Sequence, residues 1–255
     1  MQCWAEGTPE WRLQVAHAAQ SGVMAAVLAE QGATAANEAF EGSKGFYNTF
    51  CGRVPEISLN GWDLDRVVFK PFPGCMINQG AVYLLHSMMR QHSFTMDDIS
   101  SVRIRMAIRD ATHPGIAQHG PFDQATGAVM SMPFMATMLL TTGGLKSTDF
   151  ERLHDKCSSR VHELSRKIVV ESASELQPWT NEVWVTLHTG REIFARIEDQ
   201  SVFALGWVKA LDLLHGVAAE WPFENNLDRL VCVADAVRAL ESAPDMARIV
   251  QLCTR

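Results

Sequence analysis

Residues 13–32 leave this chain the fewest folding options. They read as one helix in which Val15, Ala18, Ala19, Gly22, Val23, Ala26, Val27 and Ala29 place small or aliphatic side chains at nearly every turn. A helix apolar over so much of its circumference is expected to be buried. Its small residues allow close helix packing, and Gly32 is a natural stop. With 255 residues, 47% of them hydrophobic, the chain can build one large domain or two smaller ones around a real core.

A second helix is expected to begin near Asn37. Glu41-Gly42-Ser43-Lys44-Gly45-Phe46-Tyr47 then carries two glycines into an aromatic pair, as in a loop entering a short helix. Residues 62–69 read as extended and 75–91 as helical. Val102-Arg103-Ile104-Arg105-Met106 alternates with period two, which predicts a half-exposed strand. His113-Pro114-Gly115 to Pro121 reads as a loop. Residues 125–140 form a very apolar helix closed by Gly143-Gly144, and Thr148 is the N-cap of a helix reaching residue 164. Strands follow near 167–171 and 183–187, the latter turning through His188-Thr189-Gly190-Arg191 into 192–197 as a hairpin. From Trp207 the tail is helical, with 227–240 its clearest amphipathic stretch. The order implies an α+β fold in which an α+β lid domain (61–199) is inserted into a partial all-helical domain (1–60 with 200–255).

A formal charge of −7 with no basic block gives nucleic-acid binding little support and suggests a soluble protein. The six cysteines (Cys3, Cys51, Cys75, Cys157, Cys232, Cys253) lie far apart and form no CxxC pair, so neither a metal centre nor a disulfide framework is expected. Buried free thiols in a reducing cytoplasm are the better reading. The N-terminus has no signal core and no apolar run spans a bilayer, so a cytoplasmic location without a membrane partner is expected. No cofactor is called for.

Phe69-Lys70-Pro71-Phe72-Pro73-Gly74-Cys75 presents a lysine on a connection stiffened by two prolines, just before an apolar helix. Its ammonium can bind a carboxylate or polarise a carbonyl; it can also be a solvated charge at a domain edge.

Three segments, in this order, resemble the MmgE/PrpD family, which includes 2-methylcitrate dehydratase, cis-aconitate decarboxylase and iminodisuccinate epimerase. They are 13–22 (Leu-Gln-Val-Ala-His-Ala-Ala-Gln-Ser-Gly) with Glu41-Gly42 and Gly45-Phe46-Tyr47; Lys70-Pro71-Phe72-Pro73; and Ala128-Val129-Met130-Ser131-Met132-Pro133-Phe134, which is similar to the family's Ala-Lys-Phe-Ser-Leu-Pro-Tyr helix. The resemblance covers roughly the second half of a family member: the end of the helical domain, the lid and the returning C-terminal helices. The family's acid–base aspartate and histidines in the preceding half match no residue here. Where the family has a lysine before the first motif, Trp11 stands, with Arg12 beside it. Its Cys-Gly-His-Thr-His after the second lysine reads Cys75-Met76-Ile77-Asn78-Gln79, and its third-motif tyrosine reads Phe134. Only Lys70 is a like-for-like match. The family reactions move a proton beside a carboxylate and need a base, an acid and cations. The substitutions here imply a more apolar pocket and a less charged substrate.

Other candidates carry two readings each. Arg12 can replace the missing lysine by a one-residue shift or be a surface arginine. His17 is a satisfied histidine on an apolar helix or a base. His113 and His119 flank a loop with Asp123 nearby, as an acid–base pair or a polar turn without a third metal ligand. Tyr47, near Lys44, is a proton donor or a packed helix end. Cys75 is a nucleophile with a lowered pKa at a helix N-terminus, or packing. Met130, Met132, Met135 and Met138 read as deformable core or interface.

Together these readings predict a catalytic set of Lys70, His119 and Tyr47, and a substrate-binding set of Arg12, Trp11, His17, Asn78, Gln79 and Phe134, with no metal. The expected function is a repurposed enzyme of lyase, isomerase or cyclase type acting on a carbonyl- or carboxylate-bearing metabolite, with natural-product biosynthesis a natural setting. The alternatives are a half-enzyme or non-catalytic subunit completed by a partner chain, and a small-molecule binding module. An oligomer, with itself or with a chain supplying the absent helices, is expected to cover the apolar face of 13–29.

Overall fold

The computed structural model describes residues 2–56, 58, 60–62, 64, 67–151, 159–218 and 226–254. They group into two units, one of Pro9–Val67 and one of Met1–Thr8 with Val68–Arg255. The first short helix, α1 (Gln2–Glu6), belongs to the larger unit.

The smaller unit holds α2 (Trp11–Glu30) and α3 (Phe46–Cys51). Gly32 ends α2 as expected: its φ of 91° lets the Ala33 N–H turn back to the Leu28 carbonyl at 3.0 Å. The expected burial of α2 is not found. None of its residues is buried, and Leu13 and Val23 are 73% and 68% exposed. Its apolar side chains are spread round the axis rather than gathered in a stripe, and the unit's other helix has six residues, too few to enclose it. The helix expected near Asn37 is also absent. Residues 33–36 take no regular structure and 37–45 form turns and bends, closed where Phe46 and Tyr47 N–H groups donate to Ala39 and Phe40 carbonyls. A Cβ on Gly45 would lie 2.8 Å from the Phe40 oxygen, so this turn requires glycine. Of the stretch expected to be extended, 63, 65 and 66 lie outside the described residues, and the described ones form no strand.

In the larger unit, a short 3-10 turn (Met76–Asn78) leads into α4 (Gln79–His92). Then come β1 (Ile99–Ala107), α5 (Ile108–Ala111), α6 (Ala125–Met130), α7 (Met132–Thr142), α8 (Thr148–Glu151) and α9 (Ser159–Arg166). Residues 152–158 of the expected 148–164 helix lie outside the described residues. The strands β2 (Ile168–Ala173), β3 (Asn181–Leu187) and β4 (Glu192–Ile197) follow, and α10 (Trp207–Ala218), α11 (Asn226–Arg238) and α12 (Ala247–Cys253) complete the chain. The sheet order is β2-β1-β3-β4, with β1 and β2 parallel and the other pairs antiparallel, so the fold is α+β. Alternation along the strands turns Val102, Ile104, Met106, Ile168, Val183 and Val185 toward α4 and α7, which pack on this face. The methionines at 130, 132, 135 and 138 are all buried there.

The helix expected over 125–140 is broken at Ser131. Pro133 has no N–H to give the Val129 carbonyl four residues back, and its ring would clash with that carbonyl in a continuous helix. Ser131 instead caps α7, its Oγ accepting the Phe134 N–H at 3.0 Å. The buried thiols expected throughout are found only in part: Cys3 is buried and Cys75 half-buried, Cys51, Cys232 and Cys253 are exposed on helices that leave those positions outward, and Cys157 lies outside the described residues. Among the described residues no helix is long and apolar enough to cross a membrane.

Candidate functional site

The break between α6 and α7 frees backbone groups, and two loops dock on them. The freed Val129 carbonyl accepts the Cys75 N–H at 3.0 Å, and the Met130 carbonyl accepts Asn78 Nδ2 at 2.8 Å. These bonds hold the end of the Lys70 loop and the start of α4. Met132 N–H donates to the Ile116 carbonyl at 2.8 Å, and Ser131 Oγ donates to the Gln118 carbonyl, holding the loop that carries His119. The chain just after Lys70–Pro73 is thus joined, through Cys75 and Asn78, to the segment Ala128–Phe134. The His119 loop is tied to the same break.

The Lys70 loop has its own clamp. Gln79 is wholly buried; its Oε1 accepts the Phe72 N–H at 3.1 Å, and its Nε2 donates to the Phe72 and Cys75 carbonyls at 3.0 and 3.2 Å. Both hydrogen-bonding groups of a residue between two prolines are thereby satisfied. Lys70 is exposed and its Nζ donates to the Gly74 carbonyl at 3.2 Å. One of three ammonium donors is used, leaving two for an external oxygen. Burial pushes the Cys75 thiol up; N–H groups of Ile77 and Asn78 and the Lys70 charge pull the other way without reversing it. Of the two readings of Cys75 this favours packing over a nucleophile: desolvation of the thiolate outweighs the helix N-terminus.

His119 lies on the wall shared by two clefts. One, of about 440 Å³, is lined by residues including Glu6, Gln118, Phe122, Asp123 and Gly127. The other, of about 470 Å³, is lined by residues including His162, Glu163, Ser165 and Arg166. The His119 Nδ1 sits 2.9 Å from the Ser165 carbonyl and 3.3 Å from its Oγ. A carbonyl only accepts, so Nδ1 is the donor in this contact and Nε2 is the nitrogen left for another partner. Nε2 makes no hydrogen bond among the described residues. The first cleft's lining holds two carboxylates and no lysine or arginine.

Phe134 is buried behind this cleft, edge-on to Phe122 at 5.8 Å and tilted against Phe150 at 5.7 Å between ring centroids. Asn78, like Gln79, is wholly buried and directs its amide nitrogen to backbone. Both act on the loops from beneath. The remaining predicted residues lie in the smaller unit. Trp11, Arg12 and His17 are on α2, with the Arg12 guanidinium 5.5 Å from the Trp11 ring centre. Tyr47 is half-buried among Phe40 and Phe46, at 6.0 and 5.7 Å between centroids. Ser131 and Ser165, which anchor the loop and orient the imidazole, escaped the sequence reading. For Ser131 the signal was present, since a serine two residues before proline inside an apolar run is a cap in waiting. Nothing local marks Ser165. Among the described residues no group of three or more metal-ligating side chains occurs.

Residues 1–57 match the model of the MmgE/PrpD N-terminal domain, and residues 72–202 match that of the MmgE/PrpD C-terminal domain. Comparison with curated proteins finds no match.

Proposed function

We propose that this chain, which belongs to the MmgE/PrpD family, is an enzyme of lyase, isomerase or cyclase type. It moves a proton on a carbonyl- or carboxylate-bearing small metabolite, with His119 as the acid–base group. The observation that carries the reading is the one-sided hold on His119: Nδ1 is held by the Ser165 carbonyl at 2.9 Å while Nε2, beside two clefts large enough for a metabolite, makes no hydrogen bond among the described residues. An imidazole held by one nitrogen and free at the other suits general acid–base work near neutral pH. Glu6 and Asp123 disfavour a polycarboxylate in the first cleft and support a less anionic substrate. Lys70, whose Nζ donates only to the Gly74 carbonyl among the described residues, supplies a cation for a carbonyl or carboxylate oxygen. A cytoplasmic enzyme of specialised metabolism fits this combination.

Proton abstraction can be read without knowing the product. A panel of carbonyl acids and their neutral esters is incubated with the protein in D2O, and loss of the α-proton signal is followed by NMR. At least one compound exchanges with wild type, esters ahead of polycarboxylates, and His119→Asn slows that exchange by about 10²–10⁴-fold. Equal exchange by His119→Asn refutes the assignment. Ligand binding with no exchange by either protein favours the binding-module reading.

A second reading rests on α2. A 20-residue helix with no buried residue favours a chain that works as a subunit, joined to its own copy or to a partner supplying further helices. Light scattering should give wild type a mass above the 28.3 kDa chain, reduced in Val23→Glu. A stable, soluble monomer rules this reading out.

A further inference from the structure

The two clefts that meet at His119 differ in the charge of their linings. In the first, Asp123 makes no hydrogen bond or ion pair among the described residues, and Glu6 engages one oxygen with Gln2 Nε2 at 2.7 Å. Three of the four carboxylate oxygens are therefore open to a donor. In the second, Glu163 pairs with Lys167 at 3.4 Å, and Arg166 makes no hydrogen bond or ion pair among the described residues. The first cleft also has an aromatic wall, and close packing fixes it. Phe122 lies on the lining. A Cβ at Gly120 would fall 2.9 Å from Cδ2 and Cε2 of its ring, and one at Gly127 would fall 2.9 Å from Cδ1 on the other edge, so the ring fits between two residues that have no side chain. Phe134 meets it at 86°. The loop is tied to α1 where Gln118 Nε2 donates to the Ala5 carbonyl at 3.4 Å, which brings Glu6 and Asp123 to one space.

From these features we infer that the substrate is an amino-substituted carbonyl compound whose protonated amine occupies the first cleft. The inference rests on the reading of that cleft as the place where His119 acts. An ammonium brings a positive charge and several N–H donors, which suit open carboxylate oxygens. An aromatic wall favours an alkylammonium over a hydrated inorganic cation, because the ring attracts the charge and covers the carbons next to it. A metal ion does not fit, since Glu6, Asp123 and His119 form no metal-ligating group. An anion would meet two carboxylates with no lysine or arginine in the described lining. The second cleft, with its unpaired Arg166, offers the cation no such place. A protonated amine also withdraws electron density from neighbouring carbons, which eases removal of the proton assigned to His119.

The test uses the full chain and three probes of equal chain length that differ in charge: n-butylammonium chloride, n-butanol and sodium butyrate. Each is titrated into the protein, and saturation-transfer NMR reads its dissociation constant. The ammonium should bind most tightly, the alcohol less and butyrate least. Asp123→Asn should weaken the ammonium about tenfold and the alcohol less than about twofold. Glu192→Gln, at the start of β4, makes the same change in net charge away from the cleft and should leave both within about twofold, which separates a site from general attraction to a chain of formal charge −7. If Asp123→Asn loses its far-UV circular dichroism, Glu6→Gln replaces it. Equal affinity for ammonium and alcohol, a preference for butyrate, no measurable ammonium binding, an Asp123→Asn like wild type, or a Glu192→Gln as weak as Asp123→Asn overturns the inference. Exchange in D2O, read on the same samples, separates this outcome from that of the parent reading. Ammonium binding with equal exchange by wild type and His119→Asn upholds the cation site and refutes the acid–base role. Exchange that His119→Asn slows, with neutral esters as fast as their amino-substituted analogues, upholds His119 and overturns the ammonium substrate.

Discussion

Replacing Gln79 by methionine isolates what the buried amide does for the Lys70 loop. The two side chains have similar length and volume, so little cavity or overpacking follows. What is lost is three neutral hydrogen bonds, at 3.0, 3.1 and 3.2 Å, two of them to Phe72. Pro71 and Pro73 flank Phe72 and offer no donors in compensation. At about 1 kcal/mol each the loss is about 3 kcal/mol, or a roughly 100-fold rise in loop opening. Native-state hydrogen exchange reads this directly at the Phe72 amide, whose protection should fall by that factor while amides in β1 and β3 change far less. Gln79→Glu adds a pH signature. One oxygen still accepts the Phe72 N–H, but the other faces the Phe72 and Cys75 carbonyls, which it can satisfy only when protonated. Its folded-state pKa therefore lies above the unfolded value of about 4.3. Below that value both states are protonated and the variant is least destabilised; stability falls as pH rises through the window up to the folded pKa. If Phe72 in Gln79→Met stays protected as in wild type, the clamp is not what holds the loop.

Two further outcomes follow from the same packing. With its thiol pushed up by burial, Cys75 holds less thiolate at pH 8 than an ordinary cysteine, and reactivity returns only as pH climbs toward the raised value. Iodoacetamide mapping by mass spectrometry should find it labelled at least about tenfold more slowly than exposed Cys51, Cys232 and Cys253, and comparable labelling contradicts the burial. Gly80→Ala would ordinarily help a helix by about 1 kcal/mol. Here the added Cβ falls 2.6 Å from Asn181 Nδ2 and 3.2 Å from Ile197 Cγ2, so overpacking of about 1–3 kcal/mol should dominate and lower the urea midpoint. A raised midpoint would mean that α4 and the sheet are not in such close contact.

Much of the order of elements was legible from periodicity, because a half-buried strand and an amphipathic helix write their burial into neighbouring residues. Strand β1, the β3–β4 hairpin, α4 and the tail helices fall close to where alternation and turn residues place them. So does the stop at Gly32, where a positive φ is a local demand. Lys70 and His119 could be nominated for the same reason: prolines and a Pro-Gly loop around a titratable residue are local signals. The helix read over 125–140 is instructive because Ser131 and Pro133 already contained the break, but the apolar run masked it.

Contacts between residues distant in sequence could not be read that way. Whether α2 is covered depends on how much apolar surface other elements bring to it, not on its own composition. The clamp by Gln79 and the hold on His119 depend on partners 7 and 46 positions away, and the docking of two loops on one helix break on partners 52–54 positions away for one loop and 13–16 for the other. Local patterning decides which face of an element seeks an interior. Only chain closure decides which donor meets which acceptor, and here it sets the Ser165 carbonyl against His119 Nδ1 on the wall shared by two clefts.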